Sequence, residues 1–569
     1  MPFCSRASVI YPLMVAGYEF AGLVPPWPTR MDARQHLGLT PSRNRKCQLP
    51  AWEYVLIKAP DKHPPYFRLA LVTAGAIGIA GYHMGVDDSE IYIPAAQKLL
   101  HPALFPYGTE FFQSHEKLSI FAPILAWTAR LTHLSMDWTI FLWYVLTTFA
   151  LLVSCWVLAS ACFTRARARW ASVLVVATIL AMPATNTGLL LMDPYITARS
   201  FSTPLTIFAL TAFLSRRYGL ATVLTLVTAT IHPQMAAYVV FPAALLWMME
   251  RMRVPAPEPV PVAGAVFGII PAGFHLAPAQ GAYREALYSR DFYFLSTWTW
   301  YHWLGLLAPL AFLLWFWKGN FRGITREFSR ISFVLIPFGI VSIVAGAIIS
   351  STHNLDMFAR LQPLRCFHLI TLIFMLLLAG LIGEYTSAKK LRWVLPTLLA
   401  ALTVGMGYVG YATYPNSPRI EIPGVAPASN AWLDTTWWIR HNTPQDAIFA
   451  VDARYMAVNG VDVHGFRALS ERSALADYYK DGGVVAIFPN LAPEWKQMSD
   501  ATEGLNQFSA EQFTRLAHQY PVTWAVIHGA APNGMVCPYN QQGYAVCQIP
   551  DAPGLANQSA SLATAASVP

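Results

Sequence analysis

Long apolar segments alternate with short polar ones along most of the chain. A helix that crosses the hydrocarbon core of a bilayer needs about 20 mostly apolar residues. The pattern predicts eleven candidate spans, at 66–84, 138–163, 170–185, 200–215, 218–231, 235–250, 259–277, 298–316, 331–350, 366–383 and 391–411. A further apolar stretch, 118–134, is expected to lie on or dip into the outer leaflet. Two of the spans meet at His232-Pro233, where one long kinked helix is an alternative to a turn.

The pattern changes after residue 428. Ala431–His441 and Ser509–Gln519 have helical periodicity. Four short apolar runs are expected to be strands, at 447–451, Val484–Phe488, Val522–Ile527 and Tyr544–Ile549. We therefore expect a mainly α protein, a polytopic transmembrane helical bundle of about eleven spans followed by an external α/β domain.

The same reading divides the chain into consecutive regions. They are a cytoplasmic, partly disordered N-terminal segment (1–65), a transmembrane domain (66–411) with an outer-face loop (85–137), a linker (412–428), an external soluble domain (429–550) and a disordered tail (551–569).

Composition narrows the class of protein. Of the 569 residues, 55% are hydrophobic and 12% are charged, about half the charged fraction of a soluble domain. This excludes a soluble enzyme, a disordered chain and a coiled coil, and makes the lipid bilayer the first expected partner. The net charge is +8, yet residues 412–569 carry 8 Lys+Arg and 13 Asp+Glu. The basic excess therefore lies between apolar segments, and no nucleic-acid partner is expected.

The basic residues also predict the orientation. Cytoplasmic loops are enriched in Lys and Arg. Five short loops carry them, with Arg165, Arg167 and Arg169; Arg216 and Arg217; Arg251 and Arg253; Lys318, Arg322, Arg326 and Arg330; and Lys389, Lys390 and Arg392. With these loops and the N-terminus inside, the C-terminal domain lies outside.

The first outer loop begins with three carboxylates in four residues, Asp87-Asp88-Ser89-Glu90. One interpretation is helix capping, because acidic side chains near a helix start satisfy free amides and complement the dipole. The other is a general base or a cation site, because a carboxylate near a bilayer surface can have its pKa raised by desolvation. Asp87 and Asp88 are the candidate catalytic residues.

Other polar side chains fall at the same outer edge. The candidate substrate-binding residues are Glu90, Tyr92, Asp193, Arg199, His232, Arg360 and Arg365. Polar residues at membrane edges are costly and often functional, and the planar guanidinium suits a phosphate. Each also has a structural alternative. Arg199 and Arg365 can snorkel to headgroups, Arg360 can pair with Asp356, and His232 and Asp193 can serve local turns.

Two cysteines, Cys537 and Cys547, bracket a hairpin-like stretch of the external domain. A disulfide between them fits an oxidising compartment, and two reduced thiols in a strand pair are the alternative. No Cys-x-x-Cys motif or His/Cys cluster predicts zinc, so the sequence predicts no metal-ligating residues of that kind.

These features together resemble the GT-C superfamily of polytopic glycosyltransferases. The resemblance rests on Asp87-Asp88-Ser89-Glu90 after the first span, on Pro94 and the stretch 101–106 behind it, on the odd number of spans with an external C-terminal domain, and on 438–449, which is similar to the start of that domain in such proteins. It covers most of residues 66–550. No second acidic motif matches the characterised transferases.

The resemblance implies an inverting glycosyltransferase that takes a polyprenyl-phosphate-linked sugar donor on the outer face of a bacterial inner membrane. The acceptor would be a glycan, lipid or protein, and the external domain would be periplasmic or extracellular. Asp87 or Asp88 would be the base. A divalent cation assists some members of the superfamily, and Asp87, Asp88 and Glu90 are its candidate ligands. The alternatives are a lipid-linked glycan transporter and a non-enzymatic envelope assembly protein.

Overall fold

The computed structural model describes residues 64–251, 276–386, 391–424, 430–550 and 552. The membrane-type part contains α1 (Tyr66–Ala80), α2 (Ser89–Leu100), α3 (Glu110–Glu116), α4 (Phe121–Thr132), α5 (Met136–Cys162), α6 (Ala166–Thr178), α7 (Ala198–Leu214), α8 (Tyr218–Ile231), α9 (Pro233–Arg251), α10 (Gly281–Tyr288), α11 (Trp300–Lys318), α12 (Arg326–Ser351), α13 (Phe367–Tyr385) and α14 (Val394–Thr413). The expectations for 1–63, for most of the span 259–277 and for the tail from 553 lie outside the described residues.

The C-terminal part contains helices and a small sheet. The helices are α15 (Ala431–Asn442), α16 (Phe466–Ser470), α17 (Lys480–Ile487), α18 (Ala492–Thr502) and α19 (Ala510–Gln519), and the strands are β1 (Ile448–Ala450), β2 (Ser473–Ala474), β3 (Trp524–His528), β4 (Val536–Gln541) and β5 (Tyr544–Gln548). The described chain is thus mainly helical with a small C-terminal sheet, as the pattern predicted.

Within the described residues, five helical stretches are long and apolar enough to cross a membrane. They are α5, α11, α12, the stretch His353–Tyr385 that ends in α13, and α14. The helices α1 and α8 are apolar but shorter. At 1.5 Å per residue, the 13 residues of α6 extend about 20 Å, less than the hydrocarbon core of about 30 Å. The count of eleven spans therefore stays a prediction.

The chain turns at His232-Pro233. The helix α8 ends at Ile231, His232 has extended backbone angles (φ −151°, ψ 94°), and α9 begins at Pro233. The alternative of one long kinked helix is therefore wrong at this position.

Small residues let α13 approach α6 closely. A Cβ added at Gly383 would lie 2.5 Å from the Cβ of Ala171, and one at Gly380 would lie 2.7 Å from the Ser172 hydroxyl oxygen. That hydroxyl donates to the Leu376 carbonyl at 2.8 Å. Such contacts are how helices associate in lipid, where the hydrophobic effect does not drive helix pairing.

The segment 85–137, which was predicted to form an outer-face loop, is mostly helical and contains α2, α3 and α4. It begins at Gly85, whose φ is +75° and where a Cβ would lie 2.7 Å from the side chain of Leu469. Only glycine fits both the left-handed backbone and the close approach. The segment therefore starts against the C-terminal domain.

The sheet has the strand order β2-β1-β3-β5-β4. The strand β1 runs parallel to β2 and β3, whereas β3, β5 and β4 are antiparallel neighbours. Trp524 pairs with Phe449 on one side and with Gln548 on the other. One side of the sheet packs on Trp432 and Ile439 of α15, which Asn430 caps by accepting from the amides of residues 432 and 433.

The predicted strand at Val484–Phe488 is wrong, because these residues belong to α17 and its end. A five-residue apolar run cannot be assigned to a strand or a buried helix by periodicity alone. Here tertiary packing decides, since Trp495 of α18 lies against Gly482. The other three predicted strands correspond to β1, β3 and β5. A disulfide joins Cys537 to Cys547 across the β4–β5 hairpin.

Candidate functional site

The two candidate catalytic carboxylates meet a lysine of the C-terminal domain. Lys480 Nζ contacts Asp87 Oδ1 and lies 3.2 Å from Asp88 Oδ1. The Tyr195 hydroxyl donates to Asp87 Oδ2 at 3.0 Å. Asp88 precedes α2 but makes no side-chain cap bond. Helix capping therefore does not explain the pair.

The two aspartates differ in how they are held. Asp87 has the left-handed φ of +53°, which aspartate tolerates better than most residues, and both of its carboxylate oxygens are engaged. The two side chains are similarly exposed, 38% for Asp87 and 41% for Asp88. Asp88 is the more available base, because it contacts Lys480 through Oδ1 alone. Lys480 was missed in the sequence, where a lysine before Asp-Gly-Gly gives no signal.

Asp477 positions Lys480. Its carboxylate accepts from the amides of Lys480 at 2.6 Å and Asp481 at 3.4 Å. It thereby holds the first turn of α17, which aims the lysine side chain at the acidic loop. Burial and the neighbouring Asp481 raise the pKa of Asp477 well above its usual value.

Glu90 does not join the candidate site. Its carboxylate is buried and accepts from the Arg467 amide (2.9 Å), from Arg467 Nε (3.0 Å) and from the Ala468 amide (2.9 Å). Arg467 Nη2 continues to Asp481 at 2.6 Å. All donors to Glu90 are therefore protein groups, which corrects its predicted role as a substrate ligand to that of an anchor between α2 and α16.

Two tyrosines lie in the electrostatic field of both the acidic loop (Asp87 and Asp88) and a basic group formed by Arg290 and Arg365. Burial raises the pKa of Tyr92 and of Tyr293, and both phenols interact electrostatically with Asp88 and with Arg365. Arg290 adds to the field at Tyr293. Asp88 and Arg365 therefore lie within electrostatic range of the same two phenols, although they are 277 positions apart in sequence.

The basic side has donors that the described protein does not satisfy. Arg290 Nε and Nη2 and Arg365 Nε are buried and have no hydrogen-bond partner. Arg290 lies against the backbone of α17, since a Cβ on Gly483 would be 2.8 Å from Arg290 Nη2. Arg365 stacks near Phe292, at 5.7 Å from the ring centre. Buried unsatisfied donors are rare in native proteins, and an anion would satisfy these.

Three more of the predicted site residues belong to this basic side of the site, namely Arg199, Asp193 and His232. Arg199 Nη2 is 2.5 Å from Asp193 Oδ2 in a buried ion pair, so Arg199 does not simply snorkel. His232 Nδ1 accepts from the Met235 amide at 3.3 Å, which agrees with its local-turn alternative. Burial lowers the pKa of His232 to about 3, with Arg199 and Arg365 contributing. His232 is therefore neutral at physiological pH.

His115 is a further neighbour that the sequence did not single out as a ligand. Burial lowers its pKa to about 4, and Arg365 contributes. Its ring makes edge contacts with Tyr92 and Phe488. It is therefore neutral at physiological pH and joins α3 to α2 and to the end of α17.

Arg360 and Asp356, which were considered as an i,i+4 pair, each also contact other parts of the chain. Asp356 accepts from the Tyr288 hydroxyl at 2.8 Å and from the Ala279 amide at 3.1 Å. Arg360 Nη1 reaches the Ile487 carbonyl at 3.4 Å. Arg360 therefore contacts the C-terminal end of α17, whereas Arg290 contacts its glycines.

Metal binding by the acidic motif is not supported. Glu90 is turned toward Arg467, so the three carboxylates of the motif do not converge. Among the described residues, the group of metal-type ligands that comes together is His83, Glu421 and His464, outside this site.

The arrangement combines a half-exposed carboxylate pair, phenols and an arginine group with open donors. No protein-family model matches the chain, and no curated protein matches it. Functional inference therefore rests on this geometry.

Proposed function

We propose that the protein is a membrane glycosyltransferase that takes its sugar from a polyprenyl-phosphate donor. One observation carries this proposal: α17 carries Lys480, which contacts the exposed Asp88 carboxylate, and packs at Gly483 on Arg290, whose buried donors have no partner among the described residues. The Tyr92 and Tyr293 phenols are within electrostatic range of both Asp88 and Arg365. A base for an acceptor hydroxyl and a cation for a leaving phosphate thus belong to one site. The resemblance of the acidic motif to the GT-C superfamily agrees with this chemistry.

The reaction assigns one role to each side of the site. Asp88, with Asp87 beside it, takes the proton of the acceptor hydroxyl as its oxygen bonds to the anomeric carbon. The bond from that carbon to the phosphate oxygen breaks, and the lipid phosphate leaves with the electron pair. Arg365 and Arg290 stabilise the negative charge with donors that are already in position. Attack opposite the leaving group inverts the anomeric centre.

The orientation is part of the proposal. We place the acidic loop and the C-terminal domain outside a bacterial inner membrane, because the short basic loops are expected inside. A disulfide between Cys537 and Cys547 agrees with an oxidising compartment. In intact cells, an impermeant maleimide should label Glu503→Cys and not Arg216→Cys. The reverse labelling would contradict the orientation.

The decisive experiment uses the full chain in lipid nanodiscs with a panel of polyprenyl-phosphate hexoses. Binding and slow donor hydrolysis are measured separately. We expect Asp88→Asn to bind donor but to hydrolyse it at least about 100-fold more slowly, the range for loss of a general base. Arg365→Met should weaken donor binding. Glu503→Gln, a substitution at an exposed carboxylate, and Arg515→Gln are the matched controls.

The outcomes separate the alternatives. Wild type that binds no such donor, while well folded, contradicts the proposal and favours an assembly protein. Donor binding with hydrolysis equal in wild type and Asp88→Asn also contradicts it. Movement of donor between leaflets without hydrolysis favours a lipid-linked glycan transporter.

A further inference from the structure

Two buried histidines from distant parts of the chain converge on one oxygen of a buried glutamate. His83 Nδ1 lies 2.9 Å and His464 Nε2 lies 2.8 Å from Glu421 Oε1. The three ligand-type atoms lie within 4.8 Å of one another. The residues are 1%, 0% and 7% exposed for His83, His464 and Glu421. The first follows α1, the second belongs to the C-terminal domain and the third follows α14.

The hydrogen bonds of His464 leave its contact with Glu421 to be explained. His464 Nδ1 lies 2.8 Å from the Val461 carbonyl, which can only accept, so Nδ1 carries a hydrogen. In neutral histidine, Nε2 then presents its lone pair to Glu421 Oε1. Two lone pairs cannot face each other at 2.8 Å, so a proton or a metal cation must lie between them. A divalent metal is one solution, and a proton shared by His464 and Glu421 is the competing one.

Two of the three candidate ligands have the second-shell hydrogen bonds typical of a metal site. A metal-bound histidine usually donates its other ring N–H to a carbonyl or carboxylate, as His464 does to Val461. Glu421 Oε2 accepts from the Met84 amide at 2.7 Å. The His83 ring stacks on Tyr414, with ring centres 3.9 Å apart. His464 and Glu421 are thus each oriented by a backbone group, whereas His83 is held by ring stacking and its Nε2 has no hydrogen-bond partner among the described residues.

The dimensions suit a small ion after a modest expansion. Zinc bonds nitrogen and oxygen at about 2.0–2.1 Å in tetrahedral geometry. Tetrahedral ligands at that distance lie about 3.3 Å apart, so each contact to Glu421 would widen by about 0.5 Å. Two imidazoles and one carboxylate are a set that zinc accepts.

We propose that His83, Glu421 and His464 bind a divalent transition metal of the zinc class, and that the ion is structural. It would join the end of α1, the segment after α14 and the C-terminal domain. Backbone bonds already connect these parts, from Tyr82 to the Arg419 carbonyl and from Asp87 to the Val463 carbonyl, both at 3.0 Å. The ion would thereby fix the start of the acidic loop. The proposal does not depend on the proposed transferase activity.

The test is metal content and affinity of the full chain in nanodiscs. Protein stripped with a chelator is exposed to Zn²⁺ alone, and to Co²⁺ for its visible absorption. We expect one bound ion per chain, tetrahedral Co²⁺ bands and a higher melting temperature with Zn²⁺. His464→Asn and Glu421→Gln should lower the affinity by about 100-fold or more, beyond the effect of losing a second-shell partner. His528→Asn, at the exposed end of β3, is the control.

The opposite results are equally defined. Folded wild type that takes up no Zn²⁺ overturns the proposal and leaves a protonated His464 on Glu421. Binding that is the same in wild type and Glu421→Gln overturns it as well. The affinity of wild type for Zn²⁺ can be measured by competition with a chromophoric chelator. This measurement needs no variant, so it decides the question even if a variant fails to fold.

Discussion

The buried anchor between α2 and α16 makes a quantitative prediction. Replacing Glu90 by alanine removes the acceptor of two backbone amides and of Arg467 Nε. It also leaves Arg467 with Asp481 and Asp477 as its remaining acidic partners. An unsatisfied buried donor costs about 1–3 kcal/mol, and removing one partner of a buried ion pair costs about 3–5 kcal/mol in total. We take about 3–4 kcal/mol for this site.

Amide exchange measures this loss locally. The Ala468 amide donates to Glu90 Oε2 at 2.9 Å, so its protection reports on the anchor. A loss of 3–4 kcal/mol corresponds to about 100- to 1,000-fold faster exchange, since each 1.4 kcal/mol is about tenfold. Glu110→Ala removes an exposed carboxylate from the same outer segment and should leave exchange at Ala468 unchanged.

Function and stability should separate between the two acidic positions. We expect Asp88→Asn to leave the amide exchange rate at Ala468 unchanged and to lose donor hydrolysis. We expect Glu90→Ala to raise the exchange rate at Ala468 and to retain donor hydrolysis, except for what the loosened packing costs. If exchange at Ala468 rises less than about threefold in Glu90→Ala, well below the range expected for a buried pair, the anchor interpretation is refuted. Glu90 would then return to the list of substrate ligands.

Three other predictions follow from particular contacts. Cys537→Ser with Cys547→Ser opens a disulfide across 10 positions and should cost about 2–3 kcal/mol, seen as faster amide exchange in β4 and β5; unchanged exchange would argue against the bond. His115, with its pKa lowered by burial to about 4, takes up a proton on unfolding, so it should contribute about 2–3 kcal/mol to the stability that wild type loses as pH falls from 6.5 to 4. In melting temperatures at the two pH values, His115→Gln should reduce the loss by this share, whereas exposed His133→Gln should not; the share of His232 remains in both variants. Gly383→Ala places a Cβ 2.5 Å from Ala171 and should cost about 1–3 kcal/mol in detergent melting, whereas Gly405→Ala, with open space around its Cβ, should be neutral; equal melting temperatures would contradict the close packing of α6 and α13.

Part of this organisation could be predicted from local sequence. Apolar length and the low charged fraction predicted helices that could cross a membrane, because removing backbone polar groups from water requires continuous helices. The alternation after residue 428 predicted β1, β3 and β5. Asp87 and Asp88 were identified as chemical candidates because three carboxylates occur within four residues directly after a predicted span. These inferences use residues within one helix or strand of each other.

Only tertiary structure decided which groups meet. Lys480 and Asp88 are separated by 392 positions, and His83 and Glu421 by 338. No local pattern encodes such pairs. Glu90 shares the motif of Asp87 and Asp88, yet the helical geometry of α2 turns it toward Arg467. Likewise, Val484–Phe488 has strand-forming residues, but packing of α17 on Trp495 and Arg290 selects a helix. Composition and periodicity determined the kind of elements, whereas the contacts between elements decided the site, because side-chain burial and charge pairing depend on neighbours remote in sequence.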